Sequence, residues 1–387
     1  MWESNDLTEA ERIGQILFVG ITGQTLTPET ASFLREIRPG GIILFQRNIT
    51  SRDQVQRLCR KLSNLLPVPP FLAIDQEGGR VNRLKAILPS LPANLDLAES
   101  DDQKLVERYG RGIGNCLRLL GFHMNFAPVL DLSGRKDPNG IGDRSFGTDP
   151  ERVALLGDSF LQALKRSQIL GTMKHFPGLG SADIDSHLRM PEIRKGRRKL
   201  WEEDLYPFRE LAPLAPVTMI SHAYYPSLSG QDPVPASMSP RIVEELLLGQ
   251  LDYKGLVVCD DLEMGSIDPE SGLDRVAVQA VNAGNDMLLV CRSKRMIRAA
   301  ARGLLEAARK GVLFRDRIDR SLRKILKLKR RFLLGGRVDG SAQRFRHVAF
   351  DLSRIQERVE EIRREAMRPV RSRQTRSRPV RRRKISR

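Results

Sequence analysis

The fourteen residues 174 to 187, KHFPGLGSADIDSH, hold one lysine, two histidines, two aspartates and two glycines, in a chain with five histidines in all. Asp185 and His187 stand two apart. In an extended segment that spacing puts both side chains on one side, where the carboxylate can accept the imidazole N–H and fix its tautomer. Such a pair titrates near neutrality and suits general acid/base work. Gly178 and Gly180 predict a backbone free to carry that acid towards a bound substrate. A second reactive type is the carboxylate of Asp260, which ends the apolar run GLVVCD and is a candidate nucleophile for covalent catalysis. Asp261 points the other way and is expected to cap a helix opening with LEMGSI.

His175, His187, His222 and Asp260 are also metal-ligand types. Barrel metallohydrolases commonly carry a His-x-His pair after their first strand, and here the corresponding run ends LFVGIT. Lys174 beside His175 would set a positive charge against a cation. The reading is therefore metal-free and cofactor-free acid/base and nucleophilic catalysis.

Eight short apolar runs have to position these residues: 15–20, 41–45, 71–74, 122–128, 169–176, 217–223, 255–260 and 286–290. Between them lie amphipathic segments such as SRDQVQRLCRKLSNLL and SPRIVEELLLGQL, the latter with Ser239 as N-cap and Pro240 in the first turn. Strand then helix, eight times, predicts a closed (β/α)8 barrel, with an open doubly wound sheet as the competing α/β fold. Polar residues recur just after the runs: Arg47 and Asn48, Asp75, Asp131, Lys174 and His175, His222, Asp260, Arg292. Each alone reads equally well as a cap or a solvated loop charge. Together they outline a pocket at the end of the barrel where such enzymes build their sites.

Six segments in order, GGIILFQRN (40–48), AIDQEGGRVNRL (73–84), NFAPVLDL (125–132), IGDRSFGTDP (141–150), KHFPGLGSADIDSH and VVCDDLEMGSI (257–267), resemble the motifs of family 3 glycoside hydrolases, in particular the β-N-acetylhexosaminidase branch. The resemblance covers about residues 10 to 335. It implies a TIM barrel that removes non-reducing β-linked N-acetylglucosamine in two steps, through a covalent glycosyl-enzyme. It implies Asp260 as nucleophile, and His187 as acid/base with Asp185 as partner in place of the glutamate of the glucosidase branch. Asp75, Arg83, Arg144, Lys174 and His175 match positions that hold the sugar hydroxyls and acetamide, and His222 matches a pocket residue. In bacteria this branch works in the cytoplasm on peptidoglycan fragments, the anhydro-muropeptides. Leu179 departs from the pattern, which usually carries a second histidine there, so a weakened or repurposed enzyme is the reading to set against an active one. A β-glucosidase of the same family competes with this reading, as does a noncatalytic barrel tethered to nucleic acid or membrane by a basic tail.

The net charge of +18 is lopsided. Residues 368–387 carry ten basic and no acidic side chains, leaving +8 for the rest of the chain. Like charges at that density repel and leave little apolar surface to bury, so this Arg-rich tail is expected to be disordered and open to nonspecific contact with nucleic acid or an anionic surface. Before it, Leu352, Ile355, Val359, Ile362 and Ala366 repeat at helical spacing. The expected organisation is a catalytic barrel over 1–337, a linker and amphipathic helix over 338–367, and the tail over 368–387. The polar N-terminus lacks the pattern of a secretory signal, no run is long enough to span a membrane, and four dispersed cysteines fit buried thiols in a reducing compartment. A cytoplasmic monomer acting on a small carbohydrate is the expectation.

Overall fold

All eight apolar runs become strands of one closed parallel barrel. The computed structural model describes residues 2–3, 6–137, 139–186, 188–267, 272–313, 315–333 and 342–367. The strands are β1 (Leu17–Gly20), β2 (Gly41–Leu44), β3 (Phe71–Ile74), β4 (Met124–Asn125), β5 (Leu170–Phe176), β6 (Val217–Ile220), β7 (Leu256–Asp261) and β8 (Met287–Val290), with β1 pairing β8 to close the ring. Every barrel pairing is parallel. This is the (β/α)8 fold, and the open-sheet alternative is excluded by closure.

Two interruptions of the ladder matter for function. Between β5 and β6 the register shifts between Met173 and Phe176, so Lys174 and His175 occupy the irregular stretch. Between β7 and β8, Leu288 pairs with Cys259 while Leu289 pairs with Asp261, which leaves Asp260 as the extra residue. A bulge breaks the strict alternation of side chains and re-aims those at the strand end.

The barrel interior is filled by inward side chains including Phe18, Phe71, Met124, Phe126, Leu170, Val217 and Met287, with Phe18 and Phe126 edge to face at 5.4 Å. The helix Arg315–Leu333 closes the end opposite the site. Buried Asp286 anchors it, accepting from Arg317 Nη2 (3.1 Å), Ser321 Oγ (2.8 Å), Lys324 Nζ (2.9 Å) and the backbone N–H of Val257 (3.0 Å). From the same helix Lys329 is fully buried, donating to Gln15 Oε1 at 2.6 Å above the Phe71 ring. Burial, with no carboxylate beside it among the described residues, pushes its pKa well below the usual lysine value. The unfolded chain then holds the proton more tightly, so this site should gain stability as pH rises towards the free-lysine pKa, at about 1.4 kcal/mol per unit of depression. Urea titrations at pH 7 and 10 should show wild type gaining stability relative to Lys329→Met; parallel pH curves would contradict a depressed amine.

The helix expected from SPRIVEELLLGQL winds instead as a π-helix over Arg241–Gln250. Ser239 serves it through its carbonyl, which takes the N–H groups of Ile242 and Val243, and no side-chain cap forms. The C-terminal helix runs over Ala342–Met367 and packs along the helix Gln103–Leu120, burying Phe345, Leu352, Ile355 and Val359. Gly112 makes room for Leu352, which a Cβ there would meet at 2.7 Å. The side chains of Ile362 and Ala366, the start of the expected linker at 338–341, and the whole of residues 368–387 lie outside the described residues. Among the described residues no helix is long and apolar enough to cross a membrane.

Candidate active site

At the C-terminal ends of the strands a cavity of about 390 Å³ is lined by Asp75, Arg83, Arg144, Lys174, His175, Asp185 and Asp260, together with Glu77 and Asp261. Its structural centre is a buried charge cluster. Lys174, whose side chain is 2% exposed, reaches Asp75 Oδ1 at 3.0 Å and Glu77 Oε1 at 2.6 Å. Arg144 grips Glu77 with two parallel bonds, Nε to Oε2 at 2.8 Å and Nη2 to Oε1 at 2.9 Å. Burial disfavours each of these charges, but their mutual attraction wins: Glu77 is held well below the usual carboxylate range, and Lys174 and Arg144 above theirs. Arg83 stands 3.9 Å from the other oxygen of Asp75.

His175 is fixed from behind. Its Nδ1 lies 2.6 Å from Asp131 Oδ2, and its backbone N–H donates to the same carboxylate at 3.2 and 3.3 Å. The backbone N–H of Leu179 completes that clamp at 2.7 Å from Asp131 Oδ1. The Leu179 side chain is 3% exposed and belongs to the apolar core. A backbone amide makes the bond, so leucine in place of histidine leaves the clamp intact.

Asp260 is partly buried at the cavity floor and accepts the N–H of Asp261 at 2.8 Å. Burial alone would raise its pKa; the imidazoles of His175 and His222, that N–H and Lys174 outweigh burial and hold it below the ordinary aspartate value. His222 lies behind this floor and is absent from the described cavity wall. It is fully buried, with Nδ1 2.7 Å from Ser237 Oγ. Burial lowers its pKa, against the pull of Asp260.

Asp261 caps a turn rather than a helix. Its Oδ1 accepts from Glu263 N at 3.1 Å and Cys291 N at 3.2 Å, which ties β7 to the end of β8. It also faces the cavity, because the bulge at Asp260 cancels the alternation that would turn it away. Burial, with Glu263 and Asp260 nearby, raises its pKa to about 7. A raised carboxyl pKa favours the folded state below the free aspartate pKa of about 3.9, and that contribution is lost as pH rises through 7. Asp261→Asn should therefore gain melting temperature over wild type at pH 8 but not at pH 4 in a thermal-shift comparison. An equal offset at both values would contradict the raised pKa.

Asp185 reaches the cavity, its carboxyl resting against Gly140, where a Cβ would come within 2.5 Å of it. Its expected partner His187 lies outside the described residues. The glycines between them and β5 serve a different purpose from the freedom expected of them. Gly178 sits at φ +120°, and a Cβ on Gly180 would fall 1.8 Å from the carbonyl oxygen of Leu132. Both are demanded by close backbone packing.

Among the described residues no group of three or more His, Cys, Asp or Glu is arranged to hold a metal ion. The arrangement suits holding a hydroxyl-rich ligand over an ionised carboxylate.

The family model for the glycosyl hydrolase family 3 N-terminal domain matches residues 8–328. The chain belongs to that family. A protein of Pseudomonas aeruginosa named Beta-hexosaminidase is 37% identical over 279 residues, covering 72% of this chain and 82% of that protein. One of Alkalilimnicola ehrlichii with the same name is 37% identical over 295 residues, covering 74% and 84%. Among solved structures, the family 3 β-N-acetylglucosaminidase of Paenibacillus sp. superposes with a TM-score of 0.84 at 34% identity, over 91% of this chain and 69% of that one. This family 3 member is thus a glycoside hydrolase.

Proposed function

We propose that the chain is an exo-acting retaining β-N-acetylhexosaminidase that takes non-reducing terminal β-linked N-acetylglucosamine from peptidoglycan fragments in the cytoplasm. The observation that carries this reading is Asp260, held ionised at a bulge in the cavity floor, beside the Asp75, Lys174, Arg144 and His175 cluster. Positive charge builds at the anomeric carbon as the aglycone departs. An ionised Asp260 stabilises it and then bonds to that carbon. Asp75, Lys174, Arg144, Arg83 and His175 offer the donors and acceptors for hydroxyls and the acetamide. His187, oriented by Asp185, protonates the leaving oxygen and then deprotonates the incoming water. His222 supports the floor from beneath.

The fragment preference draws on the cavity mouth. Arg47, Arg83 and Arg292 line one wall, and Arg47 spends its donors on the backbone carbonyls of Ile21 (3.3 Å) and Cys291 (3.0 Å) while lying over the Phe45 ring. The Arg292 side chain has no ion-pair partner among the described residues. Such a wall suits an aglycone bearing a carboxylate, as the lactyl group of muramic acid does.

Two rate comparisons test this. Hydrolysis of 4-nitrophenyl N-acetyl-β-glucosaminide should exceed that of the plain β-glucoside by at least about 100-fold, the scale on which a pocket separates substrates that differ by one small group. Equal rates would contradict the sugar assignment. N-acetylglucosaminyl-muramic acid should be cleaved with a higher kcat/KM than chitobiose, and equal values would contradict the aglycone assignment alone.

A further inference from the structure

The end of the barrel opposite the catalytic cavity holds a second hollow, of about 410 Å³, between the helix Arg315–Leu333 and the N-terminal ends of β5, β6 and β7. That volume is in the range of small-molecule sites. Its floor is apolar: Leu161, Ile169 and Leu256 are buried beneath it, Leu328 and Phe332 face it from the helix, and Leu214 stands 44% exposed at its edge.

Its rim has one sign. Lys165, Lys254, Arg323, Lys324, Lys327 and Arg331 line it, and among the described residues no Asp or Glu does. Lys254 pairs with Asp252 outside the hollow, and Lys324 reaches buried Asp286 at 2.9 Å. Lys165, Arg323 and Lys327 have no ion-pair partner among the described residues, and Arg331 lies over the Phe332 ring at 5.5 Å. The catalytic cavity, by contrast, mixes both signs, and its Arg83, Arg144 and Lys174 each face a carboxylate of the same lining. Cations gathered on one rim repel one another, and an anion bound among them relieves that repulsion. Three uncompensated cations match a phosphate monoester, with nearly two charges and three acceptor oxygens, better than a single carboxylate. The apolar floor asks for more than inorganic phosphate.

We propose that this hollow binds a phosphate-bearing amphiphile, its phosphate held by Lys165, Arg323 and Lys327 and its acyl or aryl body laid against Leu214, Leu328 and Phe332. The hollow touches β7 at Leu256, the opposite end of the strand from Asp260, so such a ligand and the sugar occupy separate sites. The ligand's source is either a free metabolite or a lipid headgroup.

Calorimetric titration of the full chain with hexyl phosphate, 1-hexanol and inorganic phosphate tests the proposal. Hexyl phosphate should bind once per chain, at least tenfold tighter than either fragment, and more weakly as salt rises. The double variant Arg323→Glu/Lys327→Glu should lose tenfold or more in that affinity while keeping its melting temperature and its rate on 4-nitrophenyl N-acetyl-β-glucosaminide. If charge reversal impairs folding, Arg323→Gln/Lys327→Gln serves in its place. Hexyl phosphate binding no tighter than hexanol, or equally well to the double variant, would overturn the proposal. A pelleting arm with phosphatidylglycerol and phosphatidylcholine vesicles identifies the source. The Arg-rich C-terminus will itself favour anionic vesicles, so only retention lost in the double variant counts. Such a loss supports a lipid headgroup, and undiminished retention with intact hexyl phosphate binding supports a soluble phosphate.

Discussion

Asp260→Asn is expected to lower kcat on 4-nitrophenyl N-acetyl-β-glucosaminide by roughly 10⁴-fold, the scale seen when a nucleophile or its direct partner is removed. The amide keeps the shape and the bond from Asp261 N–H, so folding should survive and the loss should fall on chemistry. Asn can neither stabilise an oxocarbenium-like transition state by charge nor form the ester. The smaller Asp260→Gly variant leaves space for an external nucleophile. Added azide should restore part of its turnover and yield the α-configured glycosyl azide, since azide enters from the face that Asp260 occupied. An Asp260→Asn enzyme within tenfold of wild type would remove the nucleophile from the scheme.

Glu77→Gln should cost about 3–5 kcal/mol of stability, the range for breaking a buried ion pair from one side, and roughly 10²-fold in kcat/KM. Among the described residues Glu77 is the one carboxylate that both Arg144 and Lys174 hold, so its removal leaves two buried cations with only Asp75 beside Lys174. On the proposed function, Arg144 and Lys174 would then lose their aim at the sugar. The pH dependence carries the same signature. Glu77's pKa lies below its unfolded value near 4.3, so the ionised form contributes stability above that pH, and the contribution is lost as pH falls through the folded pKa. The acid limb of the wild-type stability curve should therefore be shallower in Glu77→Gln. Denaturation at pH 7 and pH 3, with kcat and KM measured separately, checks both effects. A variant as stable and as active as wild type would show the cluster to be dispensable.

The barrel was legible because eight apolar runs, each bounded by turn residues, can bury both faces in a parallel ring, and all eight do so. Asp75, Arg83, Arg144, Lys174, His175, Asp185 and Asp260 line one cavity because strand ends converge at one rim of such a ring. Glu77 was missed although its spacing was informative. It stands two residues after Asp75 in an extended stretch, the same geometry used for Asp185 and His187, and both carboxylates reach Lys174. What could not be read was anything set by long-range register. Asp261 was expected to face away, and one unpaired residue in the β7–β8 ladder brings it to the cavity. Gly178 and Gly180 suggest freedom in sequence, yet the close approach they permit is to Asp204 and Leu132, which local sequence does not reveal. The one-signed rim of the opposite hollow is spread over residues 165 to 331 and becomes a feature only after folding.

The most direct test of the account is to incubate the enzyme with a 5-fluoro N-acetylglucosaminyl fluoride, which forms the glycosyl-enzyme faster than it is released, and to map the modified peptide by mass spectrometry. One N-acetyl-5-fluoroglucosaminyl group per chain, esterified to Asp260, is the expected result. A label on any other residue, or inactivation with no covalent adduct, would contradict it.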